Sequence, residues 1–158
     1  MLEESPIHPE VGVTDGVDAS AGPLGQGIGQ AIGMALAERI LESIYKEGEI
    51  IFSHYTYFLC GDGCLQEGIF QEAISFAGLH KLNKLIMFYD ANNVTLDGAL
   101  DMSFNEDVLK RFQASNWNTI LVKDGNDINA ILTILEKINY LISKIRNHKP
   151  KMPMTQRF

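Results

Sequence analysis

"CGDGCLQEGIFQEAISFAGLHKLNKLIMFYDANNV", residues 60–94, decides how this chain is read. It places Gly-Asp-Gly (Gly61 to Gly63) directly after one apolar run, "YTYFLC" (Tyr55 to Cys60), and Ala-Asn-Asn directly after a second, "KLIMFYD" (Lys84 to Asp90). The second run is almost continuously apolar, the pattern of a strand buried on both faces, and the segment between them, Gln66 to His80, has helical spacing. Strand, helix and strand in this order make a β-α-β unit, whose parallel strands present their carboxyl ends on one edge of the sheet. Ligands of such sheets bind in the crevice beyond that edge.

Asp62 and Asn92 both fall there. Neighbouring strands lie about 4.8 Å apart, close enough for the two loops to bring a carboxylate and an amide oxygen to one point. Hard oxygen donors of this kind suit magnesium or calcium. Magnesium takes only one or two protein carboxylates and completes its octahedron with water and phosphate oxygens, so the pair predicts a phosphorylated ligand. Gly61 and Gly63 allow the backbone close to that ligand, and a helix opening near Gln66 aims N–H groups at it. A Gly-Asp-Gly standing alone reads more readily as an ordinary turn, and Asn-Asn as another. The spacing of the two halves is what carries the chemistry.

Working outward, "LGQGIGQAIGMALAERILESIYK" (Leu24 to Lys46) predicts a long helix behind Pro23, with a stripe of small residues, among them Gly25, Gly29 and Gly33, that lets something pack closely. Asn105 to Ser115 reads as a helix capped by Ser103 or Asn105, "NTILVKD" (Asn118 to Asp124) as a strand, and Asp127 to Arg146 as a helix. The alternation predicts an α/β fold, a parallel β-sheet flanked by helices, in a single domain over residues 1–158 with an irregular tail at 147–158.

Composition narrows the partners. The 158 residues are 46% hydrophobic, enough for a core, and the formal net charge of -7 with scattered Lys and Arg leaves no basic stripe. Nucleic acid and anionic membrane surfaces are therefore excluded as partners. The opening "MLEESPIHPEVG" has no charged and then apolar leader, and no run reaches the roughly 18 apolar residues of a membrane span. A cytoplasmic protein is expected. Cys60 and Cys64 flank the turn without Cys-x-x-Cys spacing and read as reduced thiols, not as a zinc or redox pair.

"GDG" followed by "NN" at Asn92 and Asn93, with residues 64–91 between, matches a thiamine diphosphate binding motif. Four blocks resemble the transketolase family in order and spacing: "HPEVGVTDGVDASAGPLGQGIGQAIGMALAE", "HYTYFLCGDGCLQEG", "KLIMFYDANNVTLDG" and "KRFQASNWNTI". The resemblance runs from about His8 to about Ile131. It implies the doubly wound thiamine diphosphate-binding fold, truncated at both ends, and Mg²⁺ (or Ca²⁺ in its place) held by Asp62, the side-chain oxygen of Asn92 and the carbonyl of Val94. Gly63 would contact the diphosphate, while Gly22 and Leu24 of the "GPLG" turn would contact the aminopyrimidine. His8 corresponds to a family histidine that reaches the substrate. Glu67 and Glu72 correspond to glutamates of an acidic network between the subunits of a homodimer.

The same three residues have plain readings. A solitary His near a terminus is commonly a surface residue, and acidic groups in a first helical turn are stabilised by the helix dipole. Ala91, Asn93 and Gln71 stand where the family carries aspartate, glycine and histidine, and none of them removes an inferred metal ligand. The activity implied is transfer of a two-carbon ketol unit from a ketose phosphate such as xylulose 5-phosphate to an aldose phosphate, in the pentose phosphate pathway. The glutamate that activates the cofactor lies in a second domain in this family. Two alternatives stay open: one subunit of a split enzyme, whose partner chain supplies the pyrimidine-binding domain, and a catalytically silent fragment that binds the cofactor or regulates.

Overall fold

A computed structural model of the chain describes residues 9–45, 52–95 and 98–147, with side chains to 142. His8, Lys46 and the tail beyond Asn147 lie outside them. The chain divides into two compact units between Thr119 and Ile120.

In the first unit, α1 (Gln26–Ile44) follows the "GPLG" turn. It buries Ile28, Ala31, Ile32, Ala35 and Glu38, one stripe at three- and four-residue spacing, as its periodicity predicts. Gly25 precedes it with φ 79°, a left-handed conformation that glycine adopts without steric cost, and a Cβ there would stand 2.8 Å from Cβ of Glu67. Strand β1 (Thr56–Gly61) pairs in parallel with β2 (Leu85–Asp90), in register from Thr56 opposite Leu85 to Gly61 opposite Asp90. This is the β-α-β unit expected from the sequence. Its connecting segment differs in one respect: Asp62–Gln66 forms a 3₁₀ turn, and α2 (Gly68–Leu79) begins only after Glu67, two residues later than predicted. Gln71 joins the two pieces by donating from Nε2 to the carbonyl of Leu65 (3.0 Å).

The core lies between α1, α2 and the inner face of the sheet. Ile28, Ile32, Cys60, Leu65, Phe70, Ile74, Leu85 and Phe112 are buried in it, with Phe58, Met87, Tyr89 and Trp117 packed against them. Phe70 meets Phe112 edge-on at 5.6 Å, and Phe112 meets Trp117 likewise at 5.3 Å. The Trp117 indole donates to the carbonyl of Ile74 (2.9 Å). Lys84, just before β2, pairs with the buried Glu38 and lies 3.5 Å from Glu42, which ties α1 to the amino end of the sheet. On the outer face Tyr57 and Leu59 are exposed, and Tyr57 stacks on Phe88.

Beyond β2, the two-residue strands β3 (Val94–Thr95) and β4 (Gly98–Ala99) pair antiparallel. Helix α3 (Val108–Ala114) is capped by Asp107, whose carboxylate accepts from the amide of Lys110 (3.1 Å), and not by Ser103 or Asn105. The predicted strand at Asn118 to Asp124 is absent: those residues form no ladder. An apolar run becomes a strand only beside a hydrogen-bonding neighbour, and β1 is the only described partner of β2. The second unit holds α4 (Ile128–Asn147), opened by Asp127, which accepts from the amide of Ala130 (3.0 Å). No helix among the described residues is long and apolar enough to cross a membrane.

Candidate functional site

The register of β1 against β2 sets Gly61 opposite Asp90, so the loops after both strands leave from the same end of one ladder. Asp62 is the first residue past β1 and is 1% exposed. Its carboxylate is held from the β2 side on both oxygens. The Tyr89 hydroxyl donates to Oδ1, and the backbone N–H of Asn93 donates to Oδ2 at 2.8 Å. Among the described residues no Lys, Arg or His pairs with it. A carboxylate removed from water is costly unless hydrogen bonds or a positive charge compensate it, and here the compensation among the described residues is the two hydrogen bonds.

Asn92 stands next to Asn93 on the same loop and is exposed. Its Oδ1 accepts from the N–H of Val94 (3.0 Å), and its Nδ2 donates to Oδ2 of Asp90 (3.1 Å), which fixes the loop in a tight polar turn. Asn93 itself has φ 61°, and asparagine is among the few residues that tolerate this left-handed geometry. The turn aims the Asn93 N–H at Asp62.

Gly63 lies in the 3₁₀ turn, where a Cβ would stand 3.2 Å from Oγ1 of Thr95 and 3.3 Å from Cδ2 of Leu24. The "GPLG" turn, the Gly-Asp-Gly turn and the β3 strand therefore converge on one spot. Gly63 is thus close to Leu24 and Thr95, and Asp62 to Asn93; the Asn92 side chain is engaged with Asp90 and Val94, and Gly22 sits in the same turn as Leu24 with open space around it. The donors gathered here are all oxygens, one of them charged. Such a set fits a small divalent cation that shares its charge with phosphate oxygens.

The two glutamates stand elsewhere. Glu67 caps α2 and packs against Gly25, while Glu72 is exposed on α2 and lines a shallow groove with Gly29, Gly33 and Phe76. His8 lies outside the described residues. Tyr89 was missed by sequence reading, which counted it as one apolar residue of a strand. Only its place in the register, opposite Cys60 and beside Asp62, reveals its polar end. Burial, the hydrogen bond to Asp62 and the charge of that carboxylate together push the Tyr89 hydroxyl well above its ordinary pKa. Burial foremost, then the neighbouring Cys64 and Asp62, pushes the Cys60 thiol up to about 12. Both cysteines are free thiols.

The family model described as transketolase, thiamine diphosphate binding domain, matches residues 2–155. A transketolase of Geobacillus stearothermophilus is 51% identical over 142 residues, covering 89% of this chain and 21% of the relative. A solved transketolase from Leishmania mexicana superposes with a TM-score of 0.77 at 44% identity, over 84% of this chain and 20% of that one. A transketolase from Pichia stipitis in complex with sedoheptulose-7-phosphate gives 0.76 at 38% identity, over 84% and 20%. The chain thus spans about a fifth of the length of the relatives it matches.

Proposed function

Because this chain belongs to the transketolase family through its thiamine diphosphate binding domain, we propose that it holds the diphosphate end of that cofactor, with Mg²⁺, for ketol transfer between sugar phosphates. The observation that carries this reading is the buried Asp62 carboxylate, which has two hydrogen-bond donors and no cationic partner among the described residues, at the end of the β1–β2 ladder. Asp62 would supply the charged ligand, Asn92 an amide oxygen by turning from its bond to Val94, and Val94 its carbonyl. When bound, thiamine diphosphate supplies the carbon nucleophile that carries the two-carbon unit. The chain's own part is to anchor and orient. Gly63 leaves room for the diphosphate, and Leu24 with Gly22 forms the neighbouring wall.

We read residues 1–158 as one partial diphosphate-binding domain acting on donors such as xylulose 5-phosphate in the cytoplasm, in keeping with its two reduced thiols. Glu67 and Glu72, on the α1–α2 side, would face a second subunit of a homodimer, and His8 would reach the sugar. Calorimetric titration of the chain with thiamine diphosphate tests the site. Binding is expected to require Mg²⁺ and to weaken more than a hundredfold in Asp62→Ala, since the variant removes the only charged ligand. Equal affinity in variant and parent would overturn the assignment.

A further inference from the structure

The short strand after the Asn92 turn carries a hydroxyl that no described residue uses. Thr95 closes β3, opposite Gly98 of β4. The backbone leading to it is tied on both sides: the Asn93 N–H donates to Asp62 (2.8 Å), and the Asn93 carbonyl accepts from the N–H of the buried Leu100 (3.0 Å). Thr95 is therefore placed by the core. Its side chain is half-buried and, being β-branched, has few rotamers to choose from. Oγ1 of Thr95 lies 3.2 Å from the point where a Cβ on Gly63 would stand, and Cδ2 of Leu24 lies 3.3 Å from the same point. The hydroxyl thus rests against the Gly-Asp-Gly turn, and among the described residues it takes part in no hydrogen bond.

Packing does not ask for this hydroxyl. Valine has the same shape and is equally at home in a strand, so an apolar side chain would serve as well against Gly63 and Leu24. A hydroxyl adds one donor, and a donor that meets an anionic oxygen makes a shorter and stronger hydrogen bond than one between neutral groups. We infer, on the functional reading given above, that the Thr95 hydroxyl donates to the diphosphate where it passes Gly63, which makes Thr95 a cofactor-binding residue of this chain. Two successive residues of β3 then serve one ligand, Val94 through its carbonyl on the cation and Thr95 through its side chain on the phosphate.

The test compares the parent with Thr95→Val, which keeps the shape and removes the hydroxyl, and with Thr95→Ser, which keeps the hydroxyl and removes a methyl group. Thiamine diphosphate is titrated calorimetrically into each at saturating Mg²⁺, and thermal melting is recorded without cofactor. Thr95→Val is expected to bind about tenfold more weakly, the loss of one hydrogen bond to a charged group, while its melting temperature stays that of the parent. Thr95→Ser should recover most of the affinity. A role in packing alone gives the reverse order, since serine leaves the larger gap beside Gly63 and valine none. Parent-like binding by Thr95→Val, or equal weakening in both variants, therefore overturns the inference and leaves the site assignment standing. Absence of Mg²⁺-dependent binding in the parent overturns the site assignment, and the inference with it.

Discussion

Replacing Gly63 by alanine separates binding from folding at this site. The added Cβ would stand 3.2 Å from Oγ1 of Thr95 and 3.3 Å from Cδ2 of Leu24, against an ordinary contact of about 3.5–4.0 Å. Both neighbours are side-chain ends, and Leu24 is 54% exposed, so a shift of a few tenths of an ångström relieves the contact. The cost is about 1 kcal/mol, the low end for an added methylene. Gly63 has no left-handed φ, so alanine also gains about 0.4–1 kcal/mol by restricting the unfolded chain. The two terms nearly cancel, and the melting temperature should stay within about 3 °C of the parent. Cofactor binding is another matter. The methyl group occupies the space through which the backbone would approach the diphosphate, and a hydrogen bond to a charged group is worth about 1.5–3 kcal/mol. Calorimetry should show a loss of about ten- to a hundredfold in thiamine diphosphate affinity at saturating Mg²⁺. If Gly63→Ala melts normally and binds within twofold of the parent, the diphosphate does not pass this glycine.

Gly78→Ala has the opposite character: its Cβ would fall 1.7 Å from the backbone oxygen of Ser115, which cannot move without displacing Trp117 and its bond to Ile74. The usual gain of about 1 kcal/mol from alanine in a helix is overwhelmed. We expect about 3 kcal/mol of destabilisation by urea unfolding; a variant as stable as the parent would refute the packing described for α2. Cys60, its thiol pushed up to about 12, should resist iodoacetamide at pH 8 in the folded chain and react once urea is added, because the thiolate is the reactive form. The raised pKa also means that the contribution of Cys60 to stability is complete below the reference value of 9.0 and is lost as the pH climbs from there toward 12. Alkaline unfolding curves should therefore fall less steeply in Cys60→Ala, and identical slopes would count against a buried thiol.

The site was legible because its two halves follow runs of strand character, and a parallel pair has to release both loops at one edge. Asp62, Gly63 and the 92–94 loop could be placed together on that ground alone, and the helix α1 stripe from Ile28 to Glu38 followed from its period. What could not be read depends on three-dimensional neighbours. Tyr89 is indistinguishable from Phe88 in an apolar run until the register sets it beside Asp62. Ser103, Asn105 and Asp107 are all able to cap α3, and only the fold selects Asp107. The run at Ile120 to Val122 has strand composition but forms no ladder among the described residues. The 3₁₀ turn at Asp62–Gln66 escaped because a short tight turn and the first turn of an α-helix share one spacing.

The ladder from Thr56 opposite Leu85 to Gly61 opposite Asp90 also governs how the site comes apart. Both anchoring loops are continuations of the strands that bound the core, and the Tyr89 ring belongs to that core. Local fraying at a loop tip does not release Asp62; separating the two halves means opening the innermost structure of the unit, the part whose amides exchange with solvent last. Were a cation and diphosphate to bind here, their binding free energy would be transmitted to unfolding of this unit as RT ln(1 + [L]/Kd).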